Sequence, residues 1–331
     1  MYFKILNTKM NHHGFQYKEG LNIDTVPFNP QGECEPGGLY FTDKEHIVDY
    51  LSFGTLIANV EIPFDAKMYK NGPKWKADRI ILSNIRLFEE FVSALSLDEI
   101  FKYTERCTVF LKYVKEQTPE LCLQAVKRNG ISLQYVKEQT PTLCLQAVKQ
   151  NGEALQYVKE QTVEICFTAI IQTPFALQYV KEQTPEMCLE AVRRNYNTLK
   201  YVREQTPELC LEVVRRNSIA LTYVKDQTLE LCLEAVKQDG YNIQYVKEQT
   251  PELCFTAINQ NCFALNFVRE QTPEMCLEAV RRNYHTLQYV RNQTLELCLE
   301  AVKQNGDALQ YVDKQAQFHF MVSEAVKQNK K

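Results

Sequence analysis

The most regular chemistry in this chain is carried by nine cysteines. Cys122, Cys144, Cys166, Cys188, Cys210, Cys232, Cys254, Cys276 and Cys298 follow one another at intervals of 22 residues. Thiols in such a file could hold a soft metal, close a ladder of disulfides or act as redox centres. The spacing argues against these uses. A structural zinc site needs cysteines paired about two to four residues apart, and none of the twelve cysteines has such a neighbour. Equivalent atoms of stacked helices stand about 9–10 Å apart, beyond disulfide reach. The thiols are therefore read as small buried hydrophobes. Phe320, one period beyond Cys298, supports that reading. No metal is expected.

Aromatic residues recur with the same period. Tyr113, Tyr135, Tyr157, Tyr179, Tyr201, Tyr223, Tyr245, Tyr289 and Tyr311 form one series, with Phe267 completing it. A stacking ladder for nucleic-acid bases is one use. The balanced charge around them favours packed rings with an exposed hydroxyl edge. The segments that differ between periods are "GIS", "GEA", "PFA", "YNT", "SIA", "GYN", "CFA", "YHT" and "GDA". Turns along one edge of a repeat array commonly form its recognition surface. Phe175, Tyr196, Tyr241, Phe263 and Tyr284 are the candidate binding anchors there, expected to be exposed. The competing explanation is neutral drift at an unconstrained turn.

These residues need elements to place them. The period reads T-P-E-L-C-L-E-A-V-K-x-N-G-x-x-L-x-Y-V-K-E-Q, and self-similarity at this length signals a solenoid. In the first full unit Thr118 is placed as an N-cap, with Pro119 at the first helical position and Glu120 complementing the helix dipole. The helix runs to about residue 128. Leu121, Cys122, Ala125 and Val126 share its apolar stripe. Asn129-Gly130 reads as a left-handed stop. A second helix is expected from about 131 to 138, with Leu133, Tyr135 and Val136 as its apolar arc. In one unit Thr173-Pro174 replaces Asn-Gly, and the proline would open the second helix. Helices this short are marginal alone, so each pair must bury its stripe against its neighbours. Residues 167–206 closely match 255–294, an offset of four units that marks a block duplication.

Residues 1–85 follow another grammar. They hold seven of the eleven glycines and the single Trp75. The runs "YFKIL", "GLYFT", "TLIANVEI" and "DRIILS" read as strands, broken by "NPQGECEPGG" and "YKNGPKW". The expected organisation is a small α+β or mostly-β domain (1–85), a helical linker and cap (86–112), an all-α solenoid of helix pairs (113–317) and a C-terminal cap and tail (318–331). Ser96 and Asp98 are cap candidates in the linker. Across 331 residues the net charge is only −3, which argues against an electrostatic nucleic-acid binder. No run is long and apolar enough for a membrane helix, and "MYFKILNTKMNHHG" lacks the apolar core of a secretory signal. An intracellular, reducing compartment is expected.

Two resemblances involve the N-terminal region. "HHGFQYKEGLN", "PFNPQGECEPGGLYFTD", "IPFDA" and "KWKADRIIL" resemble the leader domain of repeat proteins in mimivirus-type giant DNA viruses, some of which carry ankyrin repeats behind it. The array resembles a short α-helical repeat family of unknown function from the same viruses. This implies a viral protein in the host cytoplasm or the virion. Residues 13–69 are also similar in motif order to poly(ADP-ribose) polymerase-type ADP-ribosyltransferases. That resemblance implies that His13 grips the ribose of NAD and that Tyr40 stacks on nicotinamide. The third family position, a glutamate, is matched only by Asp78, an aspartate.

The leading expectation is a non-enzymatic scaffold that binds a protein partner on the solenoid, with no cofactor, nucleic acid or membrane. An NAD-binding N-terminal domain with the array selecting a target is one alternative. A virion structural component is another.

Overall fold

The computed structural model describes residues 1–12, 14–30 and 35–314. It divides into two compact units, Met1–Val180 and Lys181–Lys331. Phe320 and the expected C-terminal cap lie outside the described residues.

The first unit begins with a sheet domain. Its strands are β1 (Tyr2–Leu6), β2 (Asn11–His12), β3 (Phe15–Gln16), β4 (Gly20–Ile23), β5 (Leu39–Asp43), β6 (Leu56–Glu61), β7 (Met68–Asn71), β8 (Lys74–Ala77) and β9 (Arg79–Leu87). Seven of them form one antiparallel sheet in the order β4-β9-β6-β1-β5-β8-β7, and β2 and β3 form a separate small hairpin. The four runs read as strands are β1, β5, β6 and β9. The segment "YKNGPKW", read as turn chemistry, is a hairpin between β7 and β8 that turns at Gly72, whose φ of 59° suits glycine. Leu6, Leu39, Phe41, Ala58, Val60 and Leu82 belong to one core cluster of this domain. Elsewhere in it Phe3 packs on Phe91, at a ring separation of 5.3 Å.

Two helices join the sheet to the repeats, α1 (Phe88–Ser93) and α2 (Leu97–Arg106). Ser96 caps α2 in a capping box with Glu99. Several contacts fix α2 on the sheet domain. The Arg106 guanidinium donates twice to the Asp49 carboxylate, at 2.7 and 2.6 Å, and the Tyr103 hydroxyl donates to the Lys44 carbonyl at 2.6 Å. Phe88 packs edge-on against Phe110 and Tyr113, at ring separations of 6.2 and 4.9 Å.

The repeats follow as α3 (Pro119–Arg128), α4 (Pro141–Gln150) and α5 (Val163–Gln172) in the first unit. The second unit holds α6 (Pro185–Arg194), α7 (Pro207–Arg216), α8 (Leu229–Gln238), α9 (Pro251–Gln260), α10 (Pro273–Arg282) and α11 (Leu295–Gln304). Each starts on a threonine whose hydroxyl accepts from the third residue beyond it, as Thr118 does from Leu121 N–H at 3.3 Å. In α3 the buried residues are Leu121, Cys122, Ala125 and Val126, the stripe that a 100° step per residue predicts.

The second half of each repeat departs from expectation. The segment expected as a helix over 131–138 is a six-residue 3-10 helix, Gly130–Tyr135, followed by extended Val136. The apolar residues Leu133 and Val136 stand three apart, a spacing that both helix types accept. Asn129-Gly130 is not a left-handed stop. Asn129 is extended, with φ −149° and ψ 108°, and its side chain caps the 3-10 helix by accepting from Ile131 N–H at 3.1 Å. Glycine is needed at 130 for space. A Cβ there would lie 2.3 Å from the Ala147 carbonyl oxygen of the next helix, and Gly152 and Gly240 meet Ala169 and Ala257 in the same way. Pro174 opens its 3-10 helix at the first position, and Thr173 is the preceding residue.

Candidate functional site

The array is held together by glutamine. Gln205, between the 3-10 helix Tyr196–Tyr201 and α7, makes four bonds. Its amide nitrogen donates to Leu199 O at 2.9 Å within its own repeat and to Tyr223 O at 3.0 Å in the next. Its amide oxygen accepts from Lys225 N–H at 2.8 Å and from the Cys210 thiol at 3.8 Å. The arrangement recurs at Gln117 and Gln139 in the first unit and at Gln183, Gln227, Gln271 and Gln293 in the second. A basic side chain adds a further link. Lys225 Nζ donates to the carbonyls of Val202 and Arg203 at 3.0 and 2.9 Å, and Lys137 Nζ does the same to Val114 and Lys115. These groups satisfy backbone that the change from 3-10 helix to extended chain leaves unpaired. The glutamines recur at the cysteine period, so their spacing carried the signal. Only their partners in the next repeat reveal their role.

The cysteines now have a physical place. The nine periodic thiols are buried, and in eight repeats the thiol is aimed at the glutamine oxygen five residues earlier. Burial raises the thiol pKa above its usual value in Cys122, Cys144, Cys188, Cys210, Cys232, Cys254 and Cys298. In Cys276 burial pushes it up to about 11. A thiol so held is a poor nucleophile and a poor metal ligand at neutral pH. The eleven described cysteines are free, and among the described residues no cluster of three or more His, Cys, Asp or Glu could hold a metal.

The candidate anchors are half-buried rather than open. They also occupy two different positions. Tyr196 and Tyr284 stand where other repeats have glycine, whereas Phe175, Tyr241 and Phe263 stand one residue later. Four of them pack on the periodic ring of the next repeat: Tyr196 on Tyr223, Tyr241 on Phe267, Phe263 on Tyr289 and Tyr284 on Tyr311, at ring separations of 5.7 to 6.5 Å.

The sheet domain offers a different site. Lys4, on the central strand β1, is 4% exposed. Its ammonium donates to Tyr40 O at 2.6 Å and lies 4.3 Å from the Tyr17 ring centre. Burial lowers its pKa to about 7. Lys76 is 1% exposed and donates to Glu35 O at 2.9 Å, 5.1 Å from the Tyr40 ring centre. A cavity of about 90 Å³ opens beside these residues, lined by Phe3, Lys4, His12, Tyr40, Tyr50 and Phe53 among others. A neighbouring one of about 400 Å³ is bordered by His12, Tyr17, Asp24, Glu35 and Tyr40.

Tyr40 therefore borders a cleft, but Asp78 lines neither cavity. The Asp78 carboxylate accepts from Lys67 N–H at 2.9 Å and from the Arg79 guanidinium at 3.2 Å, which fixes the turn into β9. The acids that line the larger cavity with Tyr40 are Asp24 and Glu35, and Asp24 accepts from Gly38 N–H at 2.6 Å. His13 lies outside the described residues.

The family described as "Domain of unknown function (DUF4116)" matches residues 118–162, 206–249, 228–272 and 272–315. Each match spans about two of the repeats. A putative ankyrin repeat protein of Acanthamoeba polyphaga mimivirus is 43% identical over 89 residues, covering 25% of this chain and 44% of that protein. A second mimivirus protein of that description is 34% identical over 100 residues, covering 25% and 33%. An uncharacterized mimivirus protein is 46% identical over 72 residues, covering 21% and 52%. The chain thus spans about half or less of these relatives. No solved structure matches it. None of these comparisons links the chain to ADP-ribosyltransferases. Stretches of the glutamine-linked array thus match DUF4116 behind a sheet-rich N-terminal domain, and the chain is similar to proteins of mimivirus.

Proposed function

We propose that this chain is a protein-binding scaffold that acts in the host cytoplasm or the virion. The observation that supports it is the division of labour within each repeat. Threonine cap, glutamine and basic residue spend their polar groups on the backbone of the array and the cysteine faces the glutamine, while change is concentrated in the segment after the helix. A body of this kind gains contact surface by adding units and needs no reactive group. The partner is a protein, with neither nucleic acid nor membrane required. The test is affinity purification with the full chain from expressing cells, set beside a variant with Phe175, Tyr241 and Phe263 replaced by serine. A partner recovered by the parent and lost by the variant is the expected result. Failure of the parent to recover any partner reproducibly would remove the scaffold reading.

A further inference from the structure

One step in the second unit differs from the others. At the position where Gly130 faces Ala147, the α6–α7 step has Tyr196 facing Val213. A Cβ at Gly130 would come within 2.3 Å of the opposite carbonyl, yet Ser218 and Cys262 occupy this position at other steps with Leu231 and Met275 still buried. Tyr284 makes the same change at the α10–α11 step, but it faces Ala301, and Leu297 there remains buried at 3%. The added methyl groups of Val213 are unique to the α6–α7 step.

The consequence is seen at Leu209. Its equivalents Leu121, Leu143, Ile165, Met187, Leu231, Leu253, Met275 and Leu297 are all buried. Leu209 is partly exposed and lines a groove of about 580 Å³ between α6 and α7, together with Leu189; a matching groove of about 490 Å³ lies between α3 and α4, but there Leu143 stays buried. Glu182, Glu186, Glu204 and Glu208 stand around this apolar floor, and all four are exposed. The Arg203 guanidinium at the rim is bonded to the Lys181 carbonyl. Glu212 is held by Arg193 at 2.7 Å.

We propose that the α6–α7 groove docks a short basic segment of a protein partner, with one aliphatic side chain seated between Leu189 and Leu209. The inference deepens the scaffold reading and rests on it. The apolar floor supplies the anchor. The glutamate wall supplies charge complementarity and selects against acidic segments.

The test uses the full chain and fluorescence anisotropy. The probe is a labelled lysine-rich peptide with one central leucine, beside versions carrying serine for the leucine or glutamate for the lysines. Two variants are compared with the parent. Y196G/V213A restores the glycine–alanine pair of the α3–α4 step and should bury Leu209 as Leu143 is buried there, removing the apolar seat. E204K reverses a wall charge and leaves the packing intact. The lysine–leucine peptide should bind the parent, and each variant should weaken it at least about tenfold. Both control peptides should bind at least about tenfold more weakly than the probe. Equal binding of the serine peptide, or unchanged binding by Y196G/V213A with its melting temperature preserved, overturns the groove. A groove that fails while the purification still recovers a partner leaves the scaffold reading standing. A groove that binds while the purification recovers nothing removes the scaffold reading alone.

Discussion

The sheet domain and the repeat array both bury polar groups, and they handle them in opposite ways. The array uses one arrangement many times. A glutamine amide joins two repeats through neutral hydrogen bonds, and nearly every polar atom of that side chain is matched. The sheet domain uses a different arrangement at each point. Lys4 and Lys76 are buried ammoniums, each facing a different carbonyl and a different tyrosine ring, and desolvation is the cause of the depressed pKa of Lys4. A neutral, fully matched group can be copied without accumulating penalty. A buried charge is costly, so a group of this kind is confined to a few individually built places and not copied along an array.

The comparison can be tested at several points, beginning with the largest effect. Lys4 has its folded pKa lowered from 10.5 to about 7. The unfolded state therefore binds more protons between those values, and stability of the sheet domain should rise as pH increases through that window. The expected gain is roughly 3–5 kcal/mol. Chemical denaturation at pH 7 and pH 10, with Lys4→Met as the reference, measures it. Lys4→Met should be more stable than the parent at pH 7 and should lose this part of the pH dependence. A pH profile unchanged by the substitution would mean that Lys4 is solvated.

Gln205→Ala comes next. It strands Leu199 O, Tyr223 O and Lys225 N–H, at a cost of about 3 kcal/mol if water reaches them in part. Hydrogen exchange should accelerate at Lys225 N–H while the sheet domain keeps its protection. Acceleration spread evenly over the chain would contradict a local, repeat-by-repeat ladder. A smaller loss is expected from Thr206→Ala, which removes the acceptor for Leu209 N–H, at about 1 kcal/mol. The smallest is Cys210→Val. The thiol is a weak donor and Gln205 keeps its bond from Lys225 N–H, so the change in melting free energy should stay below about 1 kcal/mol. A loss greater than that of Gln205→Ala would make the thiol the principal link and reverse the ranking.

The array was legible to the extent that its information is local. Thr118 and Pro119 set the helix start through their own backbone chemistry. The stripe of Leu121, Cys122, Ala125 and Val126 follows from helical geometry alone. The 3-10 segment was not legible, because Leu133 and Val136 satisfy either helical period. Asn129-Gly130 suggested a left-handed turn because asparagine and glycine favour one. The contact that selects this glycine belongs to Ala147, a residue of the next repeat. In the sheet domain apolar runs between turn residues located β1, β5, β6 and β9, while the short strands β2, β3 and β4 carry too few residues to stand out as runs.

By itself the sequence determined the period, the helix starts, the buried stripe and the apolar environment of the cysteines, since each depends on neighbours within a few residues. Only the tertiary structure decided what Gln205 joins, that Leu209 is exposed where its equivalents are buried, that Lys4 is buried, and that the Asp78 carboxylate is held by Lys67 and Arg79. Those outcomes depend on groups brought together from different repeats and strands, and hydrogen-bond partners and burial are properties of that assembly.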